Sequence, residues 1–203
     1  MRRHLHRYLH RFSASALALL AAAAGVGASA PAWASIVIAL DLPSMVTRAD
    51  HVAIVDVVSV KAAWDARHER ILTTIDLAVV ESWKGPALPA SHFTLVQPGG
   101  TVGDTEMVVH GMTRFTVGER AVVFLRGRPE AAGVVGMAQG KRAVLREAAT
   151  GRLLVQTPDK AGAVFVRAPA SSGPAPVFET RARPIEDLRA QVRALAAAPG
   201  KGN

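Results

Sequence analysis

The sequence predicts a mainly β protein: a small closed or partly open β-barrel with a short N-terminal helix and a C-terminal amphipathic helix. Three observations predict it. Two long runs rich in β-branched residues, His51 to Val60 and Ile71 to Trp83, flank a charged connector, Asp65 to Arg70, as the arms of an antiparallel hairpin would. Shorter apolar runs follow, each bounded by Gly or Pro. The chain then changes period, and after Pro184 its apolar residues recur at helical spacing.

Composition sets what can stabilise such a fold. Half of the 203 residues are apolar but only 5% are aromatic, so the core must be built mainly from Val, Leu, Ile and Ala. The length suits one domain with processing and linker segments. Cysteine is absent, which excludes disulfides, thiolate metal sites and a lipoprotein-type anchor.

Residues 1–34 carry the three parts of a secretory signal: the basic start MRRHLHRYLHR, an apolar stretch from Ala14 to Gly25, and the small-residue end Ala32-Trp33-Ala34. The expected cut falls before Ser35. An uncleaved anchor is the alternative, but the stretch is Ala-rich, interrupted by Gly25 and Gly27, and short of the ~20 strongly apolar residues a span needs. The expectation is therefore an exported protein, periplasmic or extracellular, with no stable membrane span after cleavage. Removing Arg2, Arg3, Arg7 and Arg11 with the leader lowers the formal charge from +8 to +4, which permits anionic partners without demanding them.

In chain order, Ser35 to Leu42 is an apolar lead-in, Ser44 to Ala49 a short helix, and Asp50 the point where a flexible, cysteine-free mature N-terminus joins the first strand. Nearly every position of that strand is apolar, which suits a strand covered on both faces or one curled in a small barrel. In the second, Ile71, Thr73, Ile75, Leu77 and Val79 share one face, and Lys84-Gly85-Pro86 stops it. His92 to Gln97 is a third strand, closed by Pro98-Gly99-Gly100. Gly99 to Thr116 has no clear period and reads as a long loop with a short strand at Met107 to His110. A turn at Val117 to Arg120 feeds a fourth strand, Ala121 to Leu125. A fifth, Gly133 to Met137, resumes at Arg142 to Leu145 and turns at Thr150-Gly151 into Arg152 to Thr157. Residues 158–183 form a Pro/Ala/Gly-rich linker with one edge strand at Ala163 to Arg167. The final helix, 184–198, presents Ile185, Leu188, Val192 and Leu195 as one stripe, with Glu186 and Asp187 in its first turn. The segments are then a signal peptide at 1–34, a barrel domain at 35–157, the linker and the helix.

Catalytic and metal chemistry is sparse. His4, His6 and His10 leave with the leader, and His51, His68, His92 and His110 stand at no metal-ligand spacing, so no metal and no cofactor is expected. His110 with Asp104 and Glu106 is the one acid-and-imidazole cluster in a Gly-rich loop, with Arg114 beside it. A hydrolytic site there would need a nucleophile or oriented water, and no G-x-S-x-G elbow accompanies it. Gly99-Gly100 is followed by no GK[ST], so it is not a phosphate loop. Nucleic acid is not expected as a partner, because Trp64, Trp83, Phe93, Phe115 and Phe124 sit mostly in apolar runs.

Three pieces, in this order, resemble the tissue inhibitors of metalloproteinases (TIMP) and the wider netrin-like (NTR) module. They are Ala49-Asp50 opening a strand that ends in Val57-Val58-Ser59-Val60, the second strand closing with Lys84-Gly85-Pro86, and Val117-Gly118-Glu119-Arg120 leading into Val122 to Leu125. The resemblance covers 35–145 and implies an OB-like, TIMP-like barrel. In that family the free N-terminus chelates the protease zinc, the residue being a Cys tied by a disulfide. The nearest position here is Ser35, followed by Ile36, with no disulfide to hold it.

These readings converge on an exported, non-enzymatic binding module for a protein or an envelope component. A narrower version makes it an inhibitor of an exported metalloprotease through Ser35 and Ile36; the broader binding surface would be the loops at one end, Gly99 to Thr116 with its Asp104, Glu106, His110 and Arg114, together with the Asp65 to Arg70 connector. The alternatives are an exported hydrolase using Asp104, Glu106 and His110, and a structural envelope protein assembled through the last helix.

Overall fold

In the computed structural model, which describes residues 36–86, 92–157, 164–166 and 181–198, the two long apolar runs pair as the hairpin β2 (His51–Trp64) and β3 (Ile71–Lys84), preceded by β1 (Ile36–Ile38) and helix α1 (Leu42–Arg48). After them come β4 (His92–Pro98), β5 (Gly100–Val102), β6 (Thr105–Met107), β7 (Arg120–Arg126), β8 (Gly133–Val134), β9 (Lys141–Arg146), β10 (Leu153–Val155), β11 (Val164–Val166), β12 (Arg183–Pro184) and helix α2 (Ile185–Ala197). The protein is mainly β. Its large antiparallel sheet has the order β12-β10-β9-β7-β2-β3-β4, with β8 on β7. That path is open, ending at β12 and β4, and a single isolated bridge between Leu95 and Ala132 joins β4 to the residues before β8.

The register of β2 on β3 explains how two 14-residue strands bend. Pairing shifts between Val52 and Ala53, between Ile54 and Val55, and between Val57 and Ser59, which leaves Trp83, Val80 and Val58 as bulged residues. Each bulge tightens the local twist. Side chains alternate between faces along a strand, so β2 sends Val52 and Ile54 to one core and Ala53, Val55 and Val57 to another. β7 divides likewise, Val122 and Phe124 against Ala121, Val123 and Leu125. Of the two arrangements its unbroken apolar run suits, this is the strand covered on both faces.

One core lies under the helices. Asp41 caps α1 by accepting from the Ser44 N–H at 2.8 Å, so the helix starts at Leu42, two residues before the expected Ser44. At the other end the Lys84 ammonium donates to the Val46 and Ala49 carbonyls, both at 2.6 Å, and completes the last turn. Met45 and Val46 then pack with Trp83, Ile185, Leu188 and Val192. α2 carries the expected stripe, with Leu195 partly buried, and its Arg189 and Arg193 both bridge Glu81 of β3. No helix among the described residues is long and apolar enough to cross a membrane.

Several expected boundaries move. β2 continues to Trp64 because Lys61 to Trp64 pair in register with Thr74 to Ile71. The connector is held by Asp65, whose carboxylate accepts from the Glu69 N–H and the Arg70 side chain. The strand expected at Gly133 to Met137 stops at Val134, since Gly136 adopts the left-handed conformation (φ 67°) and turns the chain into a 3₁₀ turn over Met137–Gly140. The edge strand expected at Ala163 to Arg167 is β11, parallel to β1. Ser35, the expected signal and most of the expected linker lie outside the described residues.

The lead-in is held rather than flexible. The Leu40 N–H donates to Gln139 Oε1 at 2.8 Å, and Gln139 Nε2 donates to the Ile38 and Gly136 carbonyls at 3.0 and 3.1 Å. Leu40 and Leu42 are buried in the helix-side core.

Candidate functional site

Gly99 to Thr116 is not one structureless loop. It opens with the hairpin β5–β6, turned at Gly103-Asp104, and the extended stretch lies at Thr105–Met107 instead of the expected Met107 to His110. Gly100 fixes where it begins: at φ 130° it lies so close to β2 and β3 that a side chain would collide with Thr73 Oγ1 and approach Ala62 Cβ to 2.9 Å. The hairpin is tied down from below, with the Gly99 N–H donating to the Ile71 carbonyl at 2.9 Å and Thr73 Oγ1 donating to the Gly99 carbonyl at 2.5 Å.

The second half of the segment is tied as firmly. Gln97 Nε2 donates to the Thr113 carbonyl at 2.6 Å, and the buried Thr113 hydroxyl donates to the Met137 carbonyl at 3.0 Å. Lys141 bridges Glu119, donates to the Arg114 carbonyl and lies 4.9 Å above the Phe115 ring. Between these moorings an open cleft of about 330 Å³ remains. Its floor is Val60, Thr73 and Gln97 from β2, β3 and β4; its flanks are Glu106 to Val109 and Met112 to Thr116. The lining mixes polar and apolar surface in nearly equal parts, with Met107, Val108, Val109, Met112 and Phe115 contributing the apolar share. A cleft at the small end of the usual ligand range of roughly 300–1,000 Å³ takes a short segment or a small molecule.

Of the four loop residues singled out by sequence, the structure brings Glu106 and Arg114 to this cleft. Asp104 sits at the exposed tip of the β5–β6 turn and His110 on an exposed turn closed by Met112 N–H to Val109 carbonyl. Neither lines the cleft, and no hydrogen bond or ion pair joins Asp104, Glu106 and His110 among the described residues. A general base must lie within hydrogen-bond reach of its partners, so this arrangement assembles no acid–imidazole relay. No group of three His, Asp or Glu residues able to hold a metal occurs among the described residues. Ile36 opens β1, opposite Val164, away from the cleft lining.

Sequence reasoning missed the cleft floor. Thr73 and Gln97 are register partners on β3 and β4, polar residues on the face that carries Ile75, Leu77, Phe93 and Leu95 into the core. A polar pair interrupting an apolar stripe was the available signal.

On the opposite face of the same three strands Asp76 accepts from Ser59 Oγ at 2.7 Å and from Thr94 Oγ1 at 3.1 Å, and these hydrogen bonds hold its carboxyl below the ordinary carboxylate value. Asp56 is held down in the same way by the two-pronged Arg120 guanidinium, at 2.7 and 2.8 Å. Both carboxylates are paired within the sheet, which makes them braces rather than ligands. Compared with protein-family models, curated proteins and solved structures, the chain matches none of them, so its function is read from this geometry.

Proposed function

We propose that the protein is an exported, non-enzymatic binding module on a partly open OB-like barrel, and that the cleft over β2, β3 and β4 receives a protein or an envelope component. The observation that carries this reading is the cleft itself: a hollow of mixed polar and apolar lining, moored on both flanks, with two charged side chains, Glu106 and Arg114, that pair with no described residue. Moored walls keep their shape, which lowers the ordering cost of binding. Export rests on the leader at 1–34, with the cut before Ser35. OB-type barrels use loops and a sheet face for ligands, and the cleft combines both.

The test uses the exported protein immobilised beside its Met112→Arg variant, each challenged with envelope extract at low salt. The expected result is a partner retained by the first and lost from the second. Retention of nothing, or of the same proteins by both, defeats the assignment. The inhibitor version is tested separately by adding one residue before Ser35, since inhibition that survives the addition does not come from a chelating N-terminus.

A further inference from the structure

We infer that the occupant of the cleft is an extended peptide segment, a short apolar run flanked by one basic and one acidic residue, added as a strand beside β6; this deepens and rests on the reading of the cleft as a binding site. β6 lines the cleft and, among the described residues, pairs with β5 alone, so one of its edges carries no described strand. The chain continues from it through Val108 and Val109, whose N–H groups donate to no acceptor among the described residues. An apolar small molecule or a lipid tail would cover such groups without satisfying them, at a desolvation cost, whereas an extended backbone supplies the missing partners. Charge complementarity points the same way. Glu106 comes from one flank and Arg114 from the other, both are exposed, and neither has an ion-pair partner among the described residues. A segment with a base at one end and an acid at the other meets both. Met107, Met112 and Phe115 between them give an adaptable apolar surface for the side chains of the run.

The experiment selects a displayed library of random heptapeptides on the exported protein and, in parallel, on the charge-swapped variant E106K/R114E. Both substituted side chains are exposed, and circular dichroism with a urea melt verifies that the variant folds. Enriched peptides are expected to carry an apolar centre with a base and an acid at its ends, and to lose binding when the central amides are N-methylated. On the swapped variant the order of the charges should reverse, with a preference of roughly fivefold, the size of an exposed ion pair. No enrichment, or enrichment indifferent to the swap and to N-methylation, overturns the inference. Dimerisation of the protein that Glu106→Pro abolishes overturns it in favour of a second copy. A photo-crosslinker at position 112 that captures an envelope protein while no peptide enriches overturns it too, yet leaves the binding module standing; capture of nothing together with enrichment of nothing removes both.

Discussion

Gln139 is 1% exposed and satisfies three backbone groups at once: the N–H of Leu40 and the carbonyls of Ile38 and Gly136. Replacing it by Leu keeps the volume and strands those groups in the interior, where each unmade bond costs about 1–3 kcal/mol. Gln139→Leu should therefore lower the unfolding free energy from urea melts by at least one such increment, and an unchanged free energy would mean that Gln139 is not the latch of the lead-in. Nothing in the sequence marks this residue, because its main partners are 99 and 101 positions away. Asp76 is a second residue whose role is a matter of contacts. Its carboxyl is held below the ordinary 3.8, so the folded state binds the proton less readily than the unfolded chain. The stability it adds is present above the unfolded value and is lost as pH falls through the folded one. Asp76→Asn should flatten that part of the acid limb in urea melts taken across falling pH, while an acid limb as steep as that of the parent would assign the loss to other carboxyls such as Asp56.

At the scale of elements, what the sequence makes legible is periodicity, and what it hides is register. The stripe Ile185, Leu188, Val192 on α2 is readable because a 3.6-residue period fixes one face regardless of the partner. Leu188 is fully buried, so Leu188→Ala should destabilise the protein by about 2–5 kcal/mol in chemical denaturation. The Glu81 bridges to Arg189 and Arg193 are partly exposed, and Glu81→Gln should cost no more than about 1 kcal/mol. A larger loss there would show that the bridges, not the apolar stripe, seat the helix. The β5–β6 hairpin was illegible for the opposite reason. Three-residue strands are too short to show alternation, and their position depends on Gly100 fitting against Thr73 and Ala62 from distant strands. The cleft inherits that illegibility: Glu106 and Arg114 stand out by charge, while Val60 looks like an ordinary strand residue and Thr73 and Gln97 become a pair only once the register of β3 on β4 is known.

At the scale of the whole molecule, β2 and β7 are shared walls. Each sends alternate side chains into the helix-side core and into the core on the opposite face, and both cores therefore depend on the same backbone. Two cores sharing their central strands cannot melt independently, since losing either exposes half of the β2 and β7 apolar surface and removes the support for the other. The described residues should unfold as one cooperative unit. The tryptophans offer a direct check. Trp83 is buried in the helix-side core, whereas Trp64, at the far end of β2, stacks on His68. In the form that begins at Ser35 these are the only two tryptophans, so Trp64→Phe and Trp83→Phe each leave one reporter. After each variant's own stability shift is measured by circular dichroism, its fluorescence transition should coincide with its circular dichroism transition. A Trp83 signal that moves at lower urea than the circular dichroism of the same variant would mean that the helices come away first. The cleft side would then persist on a partly unfolded chain, and the mooring of its flanks through Thr113 and Met137 would be independent of the helix-side core.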